Sequence, residues 1–138
     1  MKRIVSTALI VVCLSVPAMG AERYLCLPDL STGFKWSGTE KRWNHENLTT
    51  DTKYLVEQFE DGDEEAFTVK EVGSERPVLT YCKKDQEGEI VCGGLDYGFM
   101  MNTKTLRYQH LDGRGFVQGY DDLDNTLALT IGRCSSLN

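Results

Sequence analysis

Apolar and polar positions alternate with a period of two along most of this chain. "RYLCL" (23–27) sets Tyr24 and Cys26 against Leu25 and Leu27, and "GFKW" (33–36) sets Phe34 and Trp36 about Lys35. "KYLVEQF" (53–59) and "AFTVKEV" (66–72) interleave aromatic or β-branched residues with polar ones. "YGFMM" (97–101) puts Tyr97, Phe99 and Met101 on one face, and "TLRYQH" (105–110) does the same with Leu106, Tyr108 and His110. "GFVQGY" (115–120) presents Phe116 and Tyr120, and "LALTI" (127–131) presents Leu127, Leu129 and Ile131. This is the period of strands rather than helices, and it predicts an all-β protein.

Turn residues separate the runs: "EDGDEE" (60–65), "GSERP" (73–77), "MNTK" (101–104), "LDGRG" (111–115) and "YDDLDN" (120–125). The one stretch with a helical alternative is "TDTKYLVEQF", where Thr50 or Asp51 could cap and Leu55 and Phe59 stand four apart. Tyr54 and Val56 favour a strand there. Roughly eight to ten short strands joined by hairpin-length loops predict an antiparallel meander, closed or nearly closed into a barrel of about eight. A two-sheet β-sandwich is the alternative.

The cysteines sharpen this picture. "YCKKDQEGEIVC" (81–92) carries two of the five. If Cys82 faces Cys92 across a hairpin, Lys83 opposes Val91, Lys84 opposes Ile90 and Asp85 opposes Glu89, which leaves Gln86, Glu87 and Gly88 as the loop. Such loops end on a left-handed residue, and glycine adopts that conformation at least cost. A zinc site would want closely spaced Cys and His ligands, and neither His45 nor His110 is near in sequence. A redox pair would read C-x-x-C, which is absent. Cys82–Cys92 is therefore expected to be a disulfide. Cys26 and Cys134 then pair by elimination and tie the first strand to the last, where a closing barrel must have its seam.

Residues 1–20 differ from the rest. "MKR" is basic, "IVSTALIVVCLSV" is uncharged and mostly apolar, and "PAMG" places Ala18 and Gly20 before Ala21. That is the pattern of a secretory signal peptide, too short for a membrane span. Val12 before Cys13 is too large for lipoprotein-type cleavage. The expectation is a signal at 1–20, a single domain at 21–138, and an exported protein in the periplasm or outside the cell, where disulfides persist. Lys2 and Arg3 leave with the signal, so the net charge moves from −6 to −8. An acidic chain is a poor match for nucleic acid or for an anionic membrane surface, and points to a basic partner if it has a protein partner.

Catalytic chemistry is sparse. His45 in "RWNHEN" reads as an exposed loop residue and His110 as a strand-end residue with a local hydrogen bond. No serine lies in G-x-S-x-G, and there is no G-x-G-x-x-G or P-loop, so neither an enzyme nor a cofactor is expected. Asp61, Asp63 and Glu65 in one loop, and Asp121, Asp122 and Asp124 in another, offer hard oxygens to calcium. Neither fits the EF-hand spacing: counting from Asp61 reaches Ala66 and Val72 where Gly and Glu are needed, and counting from Asp122 reaches Leu127 and Arg133. No metal site is expected. Trp36 and Trp43 flank "SGTEKR", a hairpin turn by composition. They read as a plug for the end of a core, or as a stacking surface for a sugar or a partner.

"MNTKTLRYQ" (101–109) and "IGRCSSL" (131–137) resemble segments of uncharacterised small exported proteins of Gram-negative bacteria. Those share a cysteine near the mature start, an internal cysteine pair, an "MNxxTLRF"-like strand pair and a final "IGxC"; Tyr108 stands where that pattern has Phe. The layout is also similar to small periplasmic barrels of the lysozyme-inhibitor and lipocalin kinds. The resemblance implies a periplasmic β-barrel and assigns no activity. The function expected is a non-enzymatic binding or inhibitory module for a basic protein such as a lysozyme, with Asp121, Asp122, Asp124, Trp36 and Trp43 as candidate contacts. The alternative is a barrel that holds a small ligand inside.

Overall fold

In the computed structural model, which describes residues 20–59, 66–94, 97–113, 116, 118–121 and 126–137, every regular element is a strand. They are β1 (Arg23–Ser37), β2 (Arg42–Leu48), β3 (Tyr54–Gln58), β4 (Ala66–Glu71), β5 (Pro77–Lys84), β6 (Glu89–Gly93), β7 (Tyr97–Asn102), β8 (Arg107–Asp112) and β9 (Thr126–Ser136). All pairings are antiparallel, from β3 through β9 in chain order, and β9 returns to pair with β1. The sheet is thus a closed eight-stranded meander barrel with β2 as an extra strand. Closure excludes the sandwich and leaves the barrel wall without an edge.

β1 joins what the alternation suggested were two strands. Its first half, Arg23–Cys26, pairs with β3, and its second half, Ser31–Ser37, pairs with β2. Moving from Ser31 back to Tyr24 moves the partner from Leu48 on to Val56, a slip of only one residue. β2 and β3 are therefore two parts of one return path beside β1, broken at 49–53. The β1–β2 hairpin overhangs the barrel, joined on its other side only by the first residues of β9, with Lys35 opposite Thr126.

Both disulfides form as expected. Cys26 and Cys134 are directly opposed across the seam, and Cys82 bonds Cys92. Lys83 faces Val91 and Lys84 faces Ile90. Gly88 takes φ +87°, the left-handed conformation this loop requires. The third strand is Tyr54–Gln58 rather than a helix.

Large side chains occupy the interior. Tyr24, Tyr54, Val56, Phe67, Val69, Leu79, Ile90, Phe99, Met101 and Tyr108 point inward with all four disulfide cysteines and are buried. Phe99 stacks on Tyr108 at 5.3 Å, and Tyr54 meets both rings edge-on. At Gly132, opposite Tyr108, a side chain would collide with the Tyr108 ring and the Leu27 carbonyl, so only glycine lets that ring lie flat on the seam. Burial pushes the Tyr108 phenol up to about 12, with the nearby Asp29 carboxylate adding to it.

Three register shifts interrupt the pairing, one in β1 and two in β5, the second of which leaves Val78 unpaired between Leu79 and Pro77. Asp29 is the extra residue of β1 between Pro28 and Leu30, and Arg133 holds it with two hydrogen bonds of 2.9 and 3.0 Å. In β5, Thr68 opposes the doubled pair Thr80 and Tyr81. Tyr81, at φ +61°, is thrown outward and 84% exposed, so that Leu79 and Cys82 can both point in.

Several expectations are corrected. "RWNHEN" is part of strand β2, not a loop. Leu106 lies in a turn at φ +56° ahead of β8. Phe116, Gln118 and Gly119 are turn residues rather than strand. On β9 the apolar set Leu127, Leu129 and Ile131 faces outward, while Thr130, Gly132 and Cys134 face the core. His110 is a core residue, not a strand-end one with a local bond. Its Nδ1 shares a 3.1 Å hydrogen bond with the hydroxyl of Tyr54, fifty-six positions away.

Two outcomes follow. Replacing both halves of Cys26–Cys134 with Ala should destabilise more than the same change at Cys82–Cys92, by roughly 2 kcal/mol in the chain-entropy model, because the loops closed span 108 and 10 residues. Chemical denaturation curves measure this, and equal losses would contradict it. Glu57 accepts a hydrogen bond from Lys70 and also pairs with Arg23, and these cations hold its carboxyl below the usual range despite partial burial. Its stabilisation is therefore present above the ordinary carboxyl pKa and lost as pH falls through the depressed folded value. Glu57→Gln should lower the melting temperature at neutral pH, and the difference from wild type should vanish in acid.

Candidate partner-binding site

The overhang gathers residues that the sequence holds far apart. β1 leaves the barrel, turns through Gly38–Lys41 and returns as β2, which sets Trp36 directly opposite Trp43. The two indoles meet edge-on at 6.0 Å. Phe116, from the connection between β8 and β9, packs its ring against Trp43 at 5.2 Å. The Trp43 Nε1–H donates to Asp121 Oδ1 at 3.0 Å. A hairpin and a connection more than seventy residues further on thus share one aromatic cluster, and both indoles remain partly exposed.

Around this cluster the polar groups are mixed in charge: Lys35, Lys41 and Arg42 stand on the same hairpin as Glu40 and Glu46. Glu40 in the turn accepts from Arg42 Nε at 2.8 Å and from Asn44 Nδ2 at 2.7 Å, and these two bonds hold its carboxyl below the ordinary range. His45 is exposed on β2; its Nε2 shares a 2.8 Å bond with the Thr32 hydroxyl and its ring meets Phe34 at 5.9 Å. Trp36, Trp43 and Asp121 are therefore brought together. The tryptophans do not plug the core, because they sit beyond the barrel's end and outside the buried cluster. Asp122 and Asp124 lie outside the described residues, as do Asp61, Asp63 and Glu65. Among the described residues no three His, Cys, Asp or Glu side chains converge as a cation site.

The outer wall carries a feature that alternation alone did not assign to a face. Val91, Met100, Gln109, Ile131 and Leu30 follow one another around the outside through successive strand pairs. Leu30, Ile131 and Val91 are 69%, 45% and 43% exposed. The signal that could have exposed this is the disulfide parity. Cys134 must face in to reach Cys26, so Ile131 and Leu129, on the opposite parity, must face out.

Two hollows lie along the outer wall. One of about 820 Å³ is bordered by Arg23, Glu57, Phe59, Lys70, Glu75 and Thr80. Another of about 520 Å³ is bordered by Asp29, Met100, Arg107, Gln109, Ile131 and Arg133. No family model matches the chain, and no curated protein or solved structure is significantly similar to it.

If Asp121 anchors the β8–β9 connection to the hairpin through Trp43, Asp121→Ala should alter the near-ultraviolet circular dichroism of tryptophan and leave the far-ultraviolet spectrum intact. The loss of stability should stay below about 1 kcal/mol, because the bond is solvent-exposed. A loss as large as that from a core truncation would show that the contact holds the barrel itself.

Proposed function

We propose that this protein is an exported, non-enzymatic binding or inhibitory module whose overhanging hairpin docks on a basic protein, a lysozyme-like enzyme being the kind of target its charge suits. The observation that supports this reading is the filled interior. Aromatic side chains occupy the volume that a lipocalin-like barrel would give to a ligand, so recognition falls to the outside. Export rests on the leader-like residues 1–20, and the two disulfides fit an oxidising compartment.

The hairpin has the makings of a contact surface. Trp and Tyr dominate the energetics of protein interfaces, and Trp36, Trp43 and Phe116 are presented together beyond the rigid wall. The charge that would raise the rate of association with a cationic surface is the acidic excess of the whole chain, to which Glu40 and Asp121 contribute beside the tryptophans while Lys35, Lys41 and Arg42 offset them on the hairpin. A membrane-spanning role for the barrel is disfavoured. Strands β3 to β8 are five to eight residues long, against the 9–11 of a transmembrane strand. Their outer faces also carry Glu57, Lys70, Glu89 and Arg107.

The test is binding of the immobilised mature protein to a purified cationic lysozyme, with an acidic protein of similar size as control, across a salt series. Association with the cationic protein should slow as salt rises, since screening acts over ~8 Å at physiological ionic strength. Trp43→Ala should raise the dissociation rate, and Asp121→Asn should slow association. Preference for the acidic control, or indifference to salt, would reduce the charge to a solubility device and overturn the cationic target.

A further inference from the structure

β2 is the edge of the sheet. It pairs with β1 on one side, and among the described residues no strand pairs with the other. An uncovered edge presents unpaired backbone N–H and C=O groups, and proteins normally blunt such edges with charge. The charges here do something else. The strand reads Arg-Trp-Asn-His-Glu from Arg42 to Glu46, with Asn44 at its centre. Arg42, His45 and Glu46 are exposed.

We infer that β2 pairs with β2 of a second copy of this chain, antiparallel about a two-fold axis at Asn44. In that register Arg42 stands opposite the partner's Glu46 and Glu46 opposite the partner's Arg42. Trp43 and His45 likewise face each other twice, and Asn44 faces itself. Directly opposed unlike charges stabilise a strand pair and like charges destabilise it. The pattern also selects its register. The symmetric alternatives are shifted by two residues, since a slip of one would turn the side chains to the other face; they put Arg42 opposite Asn44 or Leu48 and remove both ion pairs, so one alignment is favoured over slipped ones. The present partner of Arg42 is Glu40, in an exposed pair that holds it weakly, so redirecting the guanidinium costs little. β1, β2 and the start of β9 would then join their counterparts in one continuous sheet. The dimer would carry two copies of the Trp36–Trp43 cluster, one on each side of the axis.

The interface is isologous, and this makes it testable by charge exchange. Sedimentation equilibrium of the full mature chain, over a concentration series at low salt, should give a monomer–dimer equilibrium. Arg42→Glu alone sets carboxylate against carboxylate twice, and Glu46→Arg alone sets guanidinium against guanidinium twice; each should be monomeric throughout. The double exchange, Arg42→Glu with Glu46→Arg, restores both ion pairs in reversed sense and should recover the dimer. All three variants alter exposed side chains and should melt like wild type when monomeric. A wild type that stays monomeric at its highest soluble concentration overturns the inference. So does a double exchange that fails to dimerise, or single variants that dimerise as wild type does. Because these measurements involve no second protein, their failure would leave the proposed binding activity untouched.

Discussion

The pairing of β1 with β9 is the constraint on which the rest depends. It runs from Tyr24 opposite Ser136 to Lys35 opposite Thr126, and it converts an open meander into a closed wall. The Cys26–Cys134 bond lies within it at a directly opposed pair, so the covalent tie and the hydrogen-bonded register specify each other. A slip of one residue would turn every side chain of one strand to the other face. With cysteine required inside on both strands, that slip is forbidden. Gly132 makes the seam close enough for the Tyr108 ring to cover it, so a tight part of the wall is also where the core begins.

Closure at this size dictates what the interior can do. An eight-stranded barrel has a centre just wide enough to be filled by side chains or to hold one small ligand, and here aromatic rings take the space. Two buried polar side chains pair within the barrel, His110 with Tyr54 and Thr130 with Ser31, while the buried Tyr108 hydroxyl has no hydrogen-bond partner among the described residues. Burial also raises the Tyr54 phenol above its ordinary range, with nearby Glu71 adding to it, which keeps the hydroxyl neutral in that bond. A recognition surface of the proposed kind would therefore lie on the outside, where the extra length of β1 matters. Because β1 outruns the strands beside it, its second half must find another partner, and β2 supplies one. The overhang then carries the partly exposed tryptophans, the charged groups beside them and the open strand edge.

By itself the sequence determined the fold class and both disulfides. Period-two alternation is a local property, fixed by the pleat, and the register at 83–91 follows from where Gly88 alone can turn cheaply. The four cysteines beyond the leader-like start restrict the pairing to few choices, and the short hairpin selects one. The facing of each strand was not legible in the same way. Alternation gives two faces but does not say which is inside when both are apolar, as with Tyr24 and Leu25 on β1. Tertiary closure decided this for Leu129 and Ile131, through the cysteine three positions beyond Ile131. It also decided that Asp29 and Tyr81 would be the extra residues of bulges, because each restores inward parity to residues further along its strand. Finally, only the tertiary structure made "RWNHEN" a strand, since a polar segment with no apolar face becomes β when a longer neighbour offers it an unpaired edge. Local chemistry fixes what a residue prefers, and only the closing of the sheet fixes which side of the wall it occupies.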